Sequence, residues 1–211
     1  MTMRKKLLIT IACLSVILCT LVVGTIAWLT DNTQPIVNEF TPSDIAVKLE
    51  ESNTTGNKQD FKMVPGKTYA KDPKVTVTTD VPCYVFVKVE ENLGAWAAEG
   101  KTFADYFTYS VKTSTGEWQE LNGVPGVYYR EVSANGDFYV LEGTTEYGNG
   151  AITVNGAVTK ADMKKLYDAG AVMPTLTFTA YAIQSEYLDY TGATSDAEKA
   201  LVAWNTLIAQ P

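Results

Sequence analysis

The side chains that most often carry acid–base and nucleophilic chemistry are scarce in this chain. Its 211 residues include no histidine, which removes Ser-His-Asp and Cys-His mechanisms, the zinc-protease motif of two helical histidines, and histidine-ligated metals. No Ser-x-x-Lys motif sits in a context suited to serine–lysine chemistry, and glycine-rich phosphate loops are missing. Cys83 lies inside the apolar run Val81-Pro82-Cys83-Tyr84-Val85-Phe86. As a nucleophile it would lack a base, and an unpaired cysteine in such a run reads as a buried structural thiol.

Two carboxylate pairs remain, Glu50-Glu51 and Glu90-Glu91. Neighbouring residues of a strand point to opposite faces, so each pair reads as a solvated strand end rather than an acid–base dyad. A glycosidase dyad built in space from distant carboxylates stays open at this level. EF-hand spacing is absent. Tyr128, Tyr129, Tyr139 and Tyr181 could stack on sugar rings, although alternating tyrosines on a half-exposed sheet are more often ordinary packing. No catalytic residue, cofactor or metal ligand is assigned, and the expectation is a protein that is not an enzyme.

The elements that would position these groups are mostly strands. Ile45, Val47 and Leu49 alternate with polar residues, and the segments 75–79 and 84–90 are rich in β-branched and aromatic residues. Asp80-Val81-Pro82 joins the latter two. The spacing is ambiguous over 93–107, then predicts strands over 106–112 and 117–121. Segments 127–132 and 137–141 flank Ser133-Ala134-Asn135-Gly136, where Asn-Gly predicts a hairpin turn. A short strand follows at 151–154, then a helix over 159–169 with Thr159 as N-cap. Residues 174–184 form the clearest strand, with Leu176, Phe178, Ala180 and Ala182 on one face. Ser195 and Glu198 make a capping box before an amphipathic C-terminal helix. Many short strands with turn signals, and no alternating β-α order, predict a jelly-roll-like antiparallel β-sandwich with two or three short helices.

The N-terminus carries an address. Arg4, Lys5 and Lys6 precede the uncharged apolar run Leu7–Val23, and Thr25 and Ala27 stand at the −3 and −1 positions of a cleavage site before Trp28. That is the order of a secretory signal peptide over residues 1–27. A retained membrane anchor is the alternative, because the run approaches the ~18–20 residues that span a bilayer. Thr10, Ser15 and Thr20 dilute it, and no basic cluster follows. Cleavage removes three basic and no acidic residues, so 184 residues remain and the net charge moves from −7 to −10. Such acidity argues against nucleic-acid binding. With Cys13 and Cys19 lost, Cys83 stands alone, and the domain must hold together without disulfides. Residues 28–43 then form an arm without periodicity, followed by the β-domain over 44–211.

Several stretches resemble one family. Gly24-Thr25-Ile26-Ala27, Trp28-Leu29-Thr30-Asp31 and Asn38-Glu39-Phe40-Thr41-Pro42-Ser43-Asp44-Ile45 are similar to the leader and mature start of the TasA/camelysin family of Gram-positive bacteria. Val64-Pro65-Gly66-Lys67, Tyr128-Tyr129-Arg130-Glu131-Val132, Leu176 to Gln184 and Ala203-Trp204-Asn205 extend the resemblance. It implies processing by a SipW-type signal peptidase, a jelly-roll sandwich, and a secreted structural role in fibres of the biofilm matrix or at the cell surface. Partners would be other copies of the chain or related matrix subunits. Membrane contact would occur only through the uncleaved signal.

In such fibres the N-terminal segment inserts as a strand into the next subunit, a form of β-augmentation. The candidate donor-strand anchors are Trp28, Leu29, Ile36, Val37 and Phe40. The arm could instead fold back on its own sheet. The alternative function is a non-polymerising adhesin or glycan-binding module. A metallo-endopeptidase role, attached to some members, finds no histidine here. Mass spectrometry of the exported protein should give a chain beginning at Trp28; a secreted chain that keeps residues 1–27 would contradict the leader.

Overall fold

A computed structural model describes Met3, Lys5 and residues 44–209, apart from 53, 55–59, 98–99 and 168–169. The chain divides into residues 1–41 and 42–211, and the β-rich fold lies in the second unit. Ten strands and two α-helices are described: β1 (Ile45–Glu50), β2 (Thr68–Ala70), β3 (Lys74–Thr79), β4 (Cys83–Asn92), β5 (Phe107–Thr108), β6 (Gln119–Glu120), β7 (Val127–Val132), β8 (Gly136–Tyr139), β9 (Ala151–Val154), α1 (Lys160–Lys165), β10 (Thr175–Gln184) and α2 (Asp196–Ile208). The protein is mainly β, with every strand pairing antiparallel.

Alternation in β4 explains the layering. Cys83, Val85, Val87 and Val89 point to one side of its sheet, Tyr84 and Phe86 to the other, and all six are buried. A strand with two apolar faces must be covered twice. It sits inside the four-stranded sheet β10-β4-β7-β6. Its inner face packs on the three-stranded sheet β1-β3-β8, around Val75, Val77, Val140 and Phe178. Its outer face is covered by α2, where Ala200, Ala203 and Trp204 meet Tyr84, Phe86, Tyr129 and Ile183. The ring centroids of Phe86 and Trp204 lie 5.2 Å apart.

The third sheet, β2-β9-β5, has its own core of Trp96, Phe103, Tyr106, Phe107, Ile152 and Leu166. Trp96 stacks on Tyr106 with centroids 4.7 Å apart and donates its indole N–H to the Asp162 carbonyl at 2.7 Å, tying α1 to this lobe. The strands therefore divide three, four and three, with an additional small sheet beside the expected sandwich.

The predicted hairpin at Asn135-Gly136 is not formed. β7 pairs with β4 in one sheet, and β8 pairs with β3 in the other. The chain crosses between layers at 133–135, as it does at 80–82 between β3 and β4. Neither Asn135 nor Gly136 takes positive φ. Asn135 serves the crossing through its side chain, accepting the Thr79 backbone N–H at 2.7 Å. The strand predicted over 106–112 shrinks to β5 plus a bridge from Val111 to Leu141, and the one over 117–121 shrinks to β6. The ambiguous stretch 93–107 contains two 3-10 turns, at Gly94–Trp96 and Phe103–Asp105.

The capping box before α2 forms as expected. The Glu198 carboxylate accepts from the backbone N–H groups of Thr194 and Ser195 at 2.7 and 2.9 Å, and Ser195 Oγ accepts the Glu198 N–H at 3.3 Å. These donors lower the Glu198 carboxyl from 4.5 to about 2. A carboxyl depressed by folding contributes stability above its unfolded value and loses it as pH falls through the folded one. Glu198→Gln should therefore be less stable than the parent at neutral pH, with the difference closing between pH 4.5 and 2. Denaturation followed by tryptophan fluorescence across that range measures it; a gap unchanged at pH 2 would contradict the assignment.

Candidate functional site: a groove at one edge of the sandwich

A sandwich of two open sheets has two sides where strand edges meet, and here the two sides differ. Along one, the edges are β6 and β8, and the segment 110–118 closes the gap. Lys112 N–H donates to the Val140 carbonyl at 2.8 Å, and Glu142 N–H to the Ser110 carbonyl at 2.8 Å. Trp118 is fully buried and donates its indole N–H to the Tyr139 carbonyl at 2.9 Å. Arg130, on the inner face of β7, lays its guanidinium 3.8 Å from the Phe138 ring centroid and 5.5 Å from that of Trp118. It also pairs with Glu117 at 3.3 Å. Burial pushes the Arg130 pKa down, against the opposing pull of Glu117. Aromatic, cation and carboxylate together plug this side.

On the other side β1 and β10 approach each other closely but share no ladder. Among the described residues β1 pairs only with β3, and β10 only with β4. Beside these two edges lies a groove of about 740 Å³. Lys48–Glu50 line it from β1, Glu51, Thr54, Asp60, Phe61 and Met63 from the segment that follows, Met173–Ala180 from β10 and the residues leading into it, and Tyr69, Phe103, Phe107, Ile152 and Val154 from the third lobe. A continuous run of eight residues along the wall means that the groove follows the edge of β10, side chains and backbone together. Such an edge offers unpaired backbone groups to any strand that can reach it.

Within the groove lies an ion pair that the sequence did not disclose. Lys71 Nζ donates to both carboxylate oxygens of Glu51, at 2.8 and 3.0 Å, and the two side chains are 8% and 13% exposed. Glu51 was expected at a solvated strand end. The correction follows from β1 stopping at Glu50, which frees Glu51 from the strand's alternation. Two further contacts hold the pair. Ser52 N–H donates to Asp72 Oδ1 at 3.0 Å, and Lys71 N–H donates to the Gly150 carbonyl at 3.0 Å. Gly150 has φ +145°, and a Cβ there would stand 2.2 Å from the Lys71 carbonyl, so only glycine permits this approach. Lys71 Nζ also lies 5.2 Å from the Phe178 ring centroid.

The remaining expected residues fall as follows. Glu90 and Glu91 are exposed, with Glu90 paired to Lys88 at 2.7 Å and Glu91 accepting the Tyr109 hydroxyl at 2.6 Å. Burial and Glu91 together raise the Tyr109 hydroxyl well above its usual range. Cys83 is fully buried, and burial raises its thiol. Tyr129 lies under α2, Tyr128 packs into the inter-sheet core, and Tyr181 meets the Trp204 ring edge-on at 5.5 Å, so these rings are used in packing. Thr25, Ala27, Trp28, Leu29, Ile36, Val37 and Phe40 lie outside the described residues. Among the described residues, no helix is long and apolar enough to cross a membrane, and no group of three or more metal-ligating side chains gathers.

No family model matches the chain, and the search of curated proteins returned no match.

A buried ion pair stabilises little as a pair, but removing one partner strands the other charge. Lys71→Met should cost about 3–5 kcal/mol, whereas Lys71→Met with Glu51→Leu should return to within about 1 kcal/mol of the parent. Urea denaturation of the three proteins tests this; equal losses in the single and double variants would contradict the coupling.

Proposed function

We propose that the protein is a secreted structural component of the extracellular or biofilm matrix, and that copies join by inserting the N-terminal arm of one into the edge groove of the next. The observation that carries this reading is that β1 and β10, close together at one side of the sandwich, each have a single ladder partner among the described residues and border a groove, while segment 110–118 bonds across the other side. An unprotected edge beside apolar side chains is a liability for a monomer, and natural proteins usually cover or charge such edges. An edge strand without a second ladder partner among the described residues suits completion by another strand.

The arm supplies what such a groove accepts. Trp28, Leu29, Ile36, Val37 and Phe40 are apolar residues placed directly before β1, behind a cleavage site that would free them at one end. Backbone pairing with β10 would provide affinity, and side chains entering the groove would set register. The acidic surface, at −10 after cleavage, keeps copies apart unless that specific contact forms. The resemblance to the TasA/camelysin family points the same way, towards matrix fibres.

Negative-stain electron microscopy and light scattering of residues 28–211, compared with a chain starting at Pro42, test the reading. Fibres or higher oligomers are expected from the first and monomers from the second. A mature chain that stays monomeric across salt and pH would overturn it.

A further inference from the structure

Resting on the strand-exchange reading, we infer that the copies it joins also meet end to end, the turn carrying Tyr187 in one docking on the exposed lysines and apolar residues beside α1 in the next. The ladder between β4 and β10 defines the two ends. It runs for ten pairs, from Thr175 opposite Asn92 to Gln184 opposite Cys83, and a strand of that length spans roughly 33 Å. One more bond extends it each way. Ala95 N–H donates to the Val172 carbonyl at 2.8 Å, and Ser185 N–H donates to the Pro82 carbonyl at 2.9 Å. Val172 and Ser185 therefore stand at opposite ends of this ladder.

Both ends present apolar side chains to water. Of the seven large apolar side chains exposed among the described residues, four flank β10. Val172 and Met173 precede it, 61% and 48% exposed, with Tyr167 before them at 86%, and Tyr187 follows it at 93%. The backbone beneath them is tied down. A Cβ on Gly94 would stand 2.2 Å from the Val172 carbonyl, so the turn at Gly94 is pressed against Val172. At the other end Tyr190 donates its hydroxyl to the Ser185 carbonyl at 2.6 Å, and Leu188 packs against the core under α2. Between these anchors Tyr187 takes φ +63°, and no other non-glycine residue among those described has positive φ. A bulky side chain in that region is strained, and such strain persists where the side chain has a use.

The ends also differ in charge. The Trp96 indole ties α1 to the Val172 end, where Lys160, Lys164 and Lys165 stand exposed against Asp162 within the helix. At the Tyr187 end Glu131, Glu186, Asp189 and Asp196 are exposed, and Lys199 answers Asp196 at 3.6 Å. Asp44 and Asp80 join them where β1 begins, Asp44 N–H donating to Asp80 Oδ1 at 3.2 Å. Copies at −10 after cleavage repel each other except where a basic surface meets an acidic one, so the partner that suits the lysines of α1 is a second copy. The contact joins two different surfaces, so it repeats head to tail and gives a row of copies its polarity. Residue 44 enters β1 at the acidic end, and Met173 lines the groove at the basic end, so strand exchange would bring these ends together. A contact made by one turn is too small to hold free copies, and it acts once the arm has raised the neighbour's effective concentration.

The test uses the full mature chain. Lys164→Glu with Lys165→Glu, and separately Glu131→Lys with Glu186→Lys, should each raise the critical concentration for assembly about tenfold. Mixed in equal amounts, the two charge-reversed proteins should return to within about threefold of the parent, because each then offers the other complementary ends. Tyr187→Gly suits φ +63° and should leave the melting temperature unchanged or higher while weakening assembly about fivefold, a split that a structural role would not give. Carbodiimide coupling of the assembled parent, followed by mass spectrometry, should join Lys160, Lys164 or Lys165 of one chain to Glu186 or Asp189 of another. Where a charge-reversed variant melts early, these links decide. No rescue between variants that melt like the parent, or links from these lysines mainly to Glu117 or Asp137, would overturn the end contact and leave strand exchange standing. Assembly with the same links in a chain starting at Pro42 would overturn strand exchange and leave the end contact. A mature chain that stays monomeric would overturn both.

Discussion

The structure depends on a strand that water cannot touch from either side. β4 carries valines and Cys83 towards one layer and Tyr84 and Phe86 towards another. Burying an apolar side chain of this size contributes about 1.5–3 kcal/mol, so a strand apolar on both faces is stable only when covered twice. That requirement recruits the sheet β1-β3-β8 on the inside and α2 on the outside, from opposite ends of the sequence. It also explains why a domain without a single disulfide can hold together: the three-layer stack replaces cross-links with area.

Layering imposes the crossings. A chain that must supply both sheets has to pass between them, and it does so at 80–82 and at 133–135, stitched by Asn135 to Thr79. The two crossings leave different edges. Between the edges β6 and β8, segment 110–118 folds into the gap, and Trp118 and Arg130 fill it. Where β1 and β10 run side by side, the two strands approach closely without a shared ladder, and Phe61 and Met63 from the segment after β1 border the groove together with the third lobe. The groove is thus a consequence of topology, and the buried Glu51–Lys71 pair sits in a lining that mixes apolar residues with Lys48, Glu50, Asp60 and threonines.

The sequence was legible wherever local signals and tertiary demands agreed. The alternation in β1 and β10, the buried Cys83 and the Ser195–Glu198 capping box each follow from period or capping chemistry acting over a few residues. The Asn-Gly pair misled because turn propensity is local, while the pairing of β7 with β4 and of β8 with β3 is decided by which layer each strand must cover. Glu51 misled for a similar reason: one residue past the end of β1, its direction is set by Lys71, twenty positions away, and Lys71 is held there by Gly150. Ion pairs and grooves made by distant segments leave no periodic trace. The arm residues take their donor-strand role from the family resemblance and lie outside the described residues.

The central claim is that the β10 edge is where a second chain adds. Hydrogen–deuterium exchange, followed by mass spectrometry before and after assembly, reads that edge directly. The account predicts that amides of Thr175–Ala180 exchange much more slowly in the assembled protein, while those of Gly136–Tyr139 on the sealed side keep their rates. Protection that appears along Gly136–Tyr139 instead, or assembly that leaves the Thr175–Ala180 amides unchanged, would contradict it.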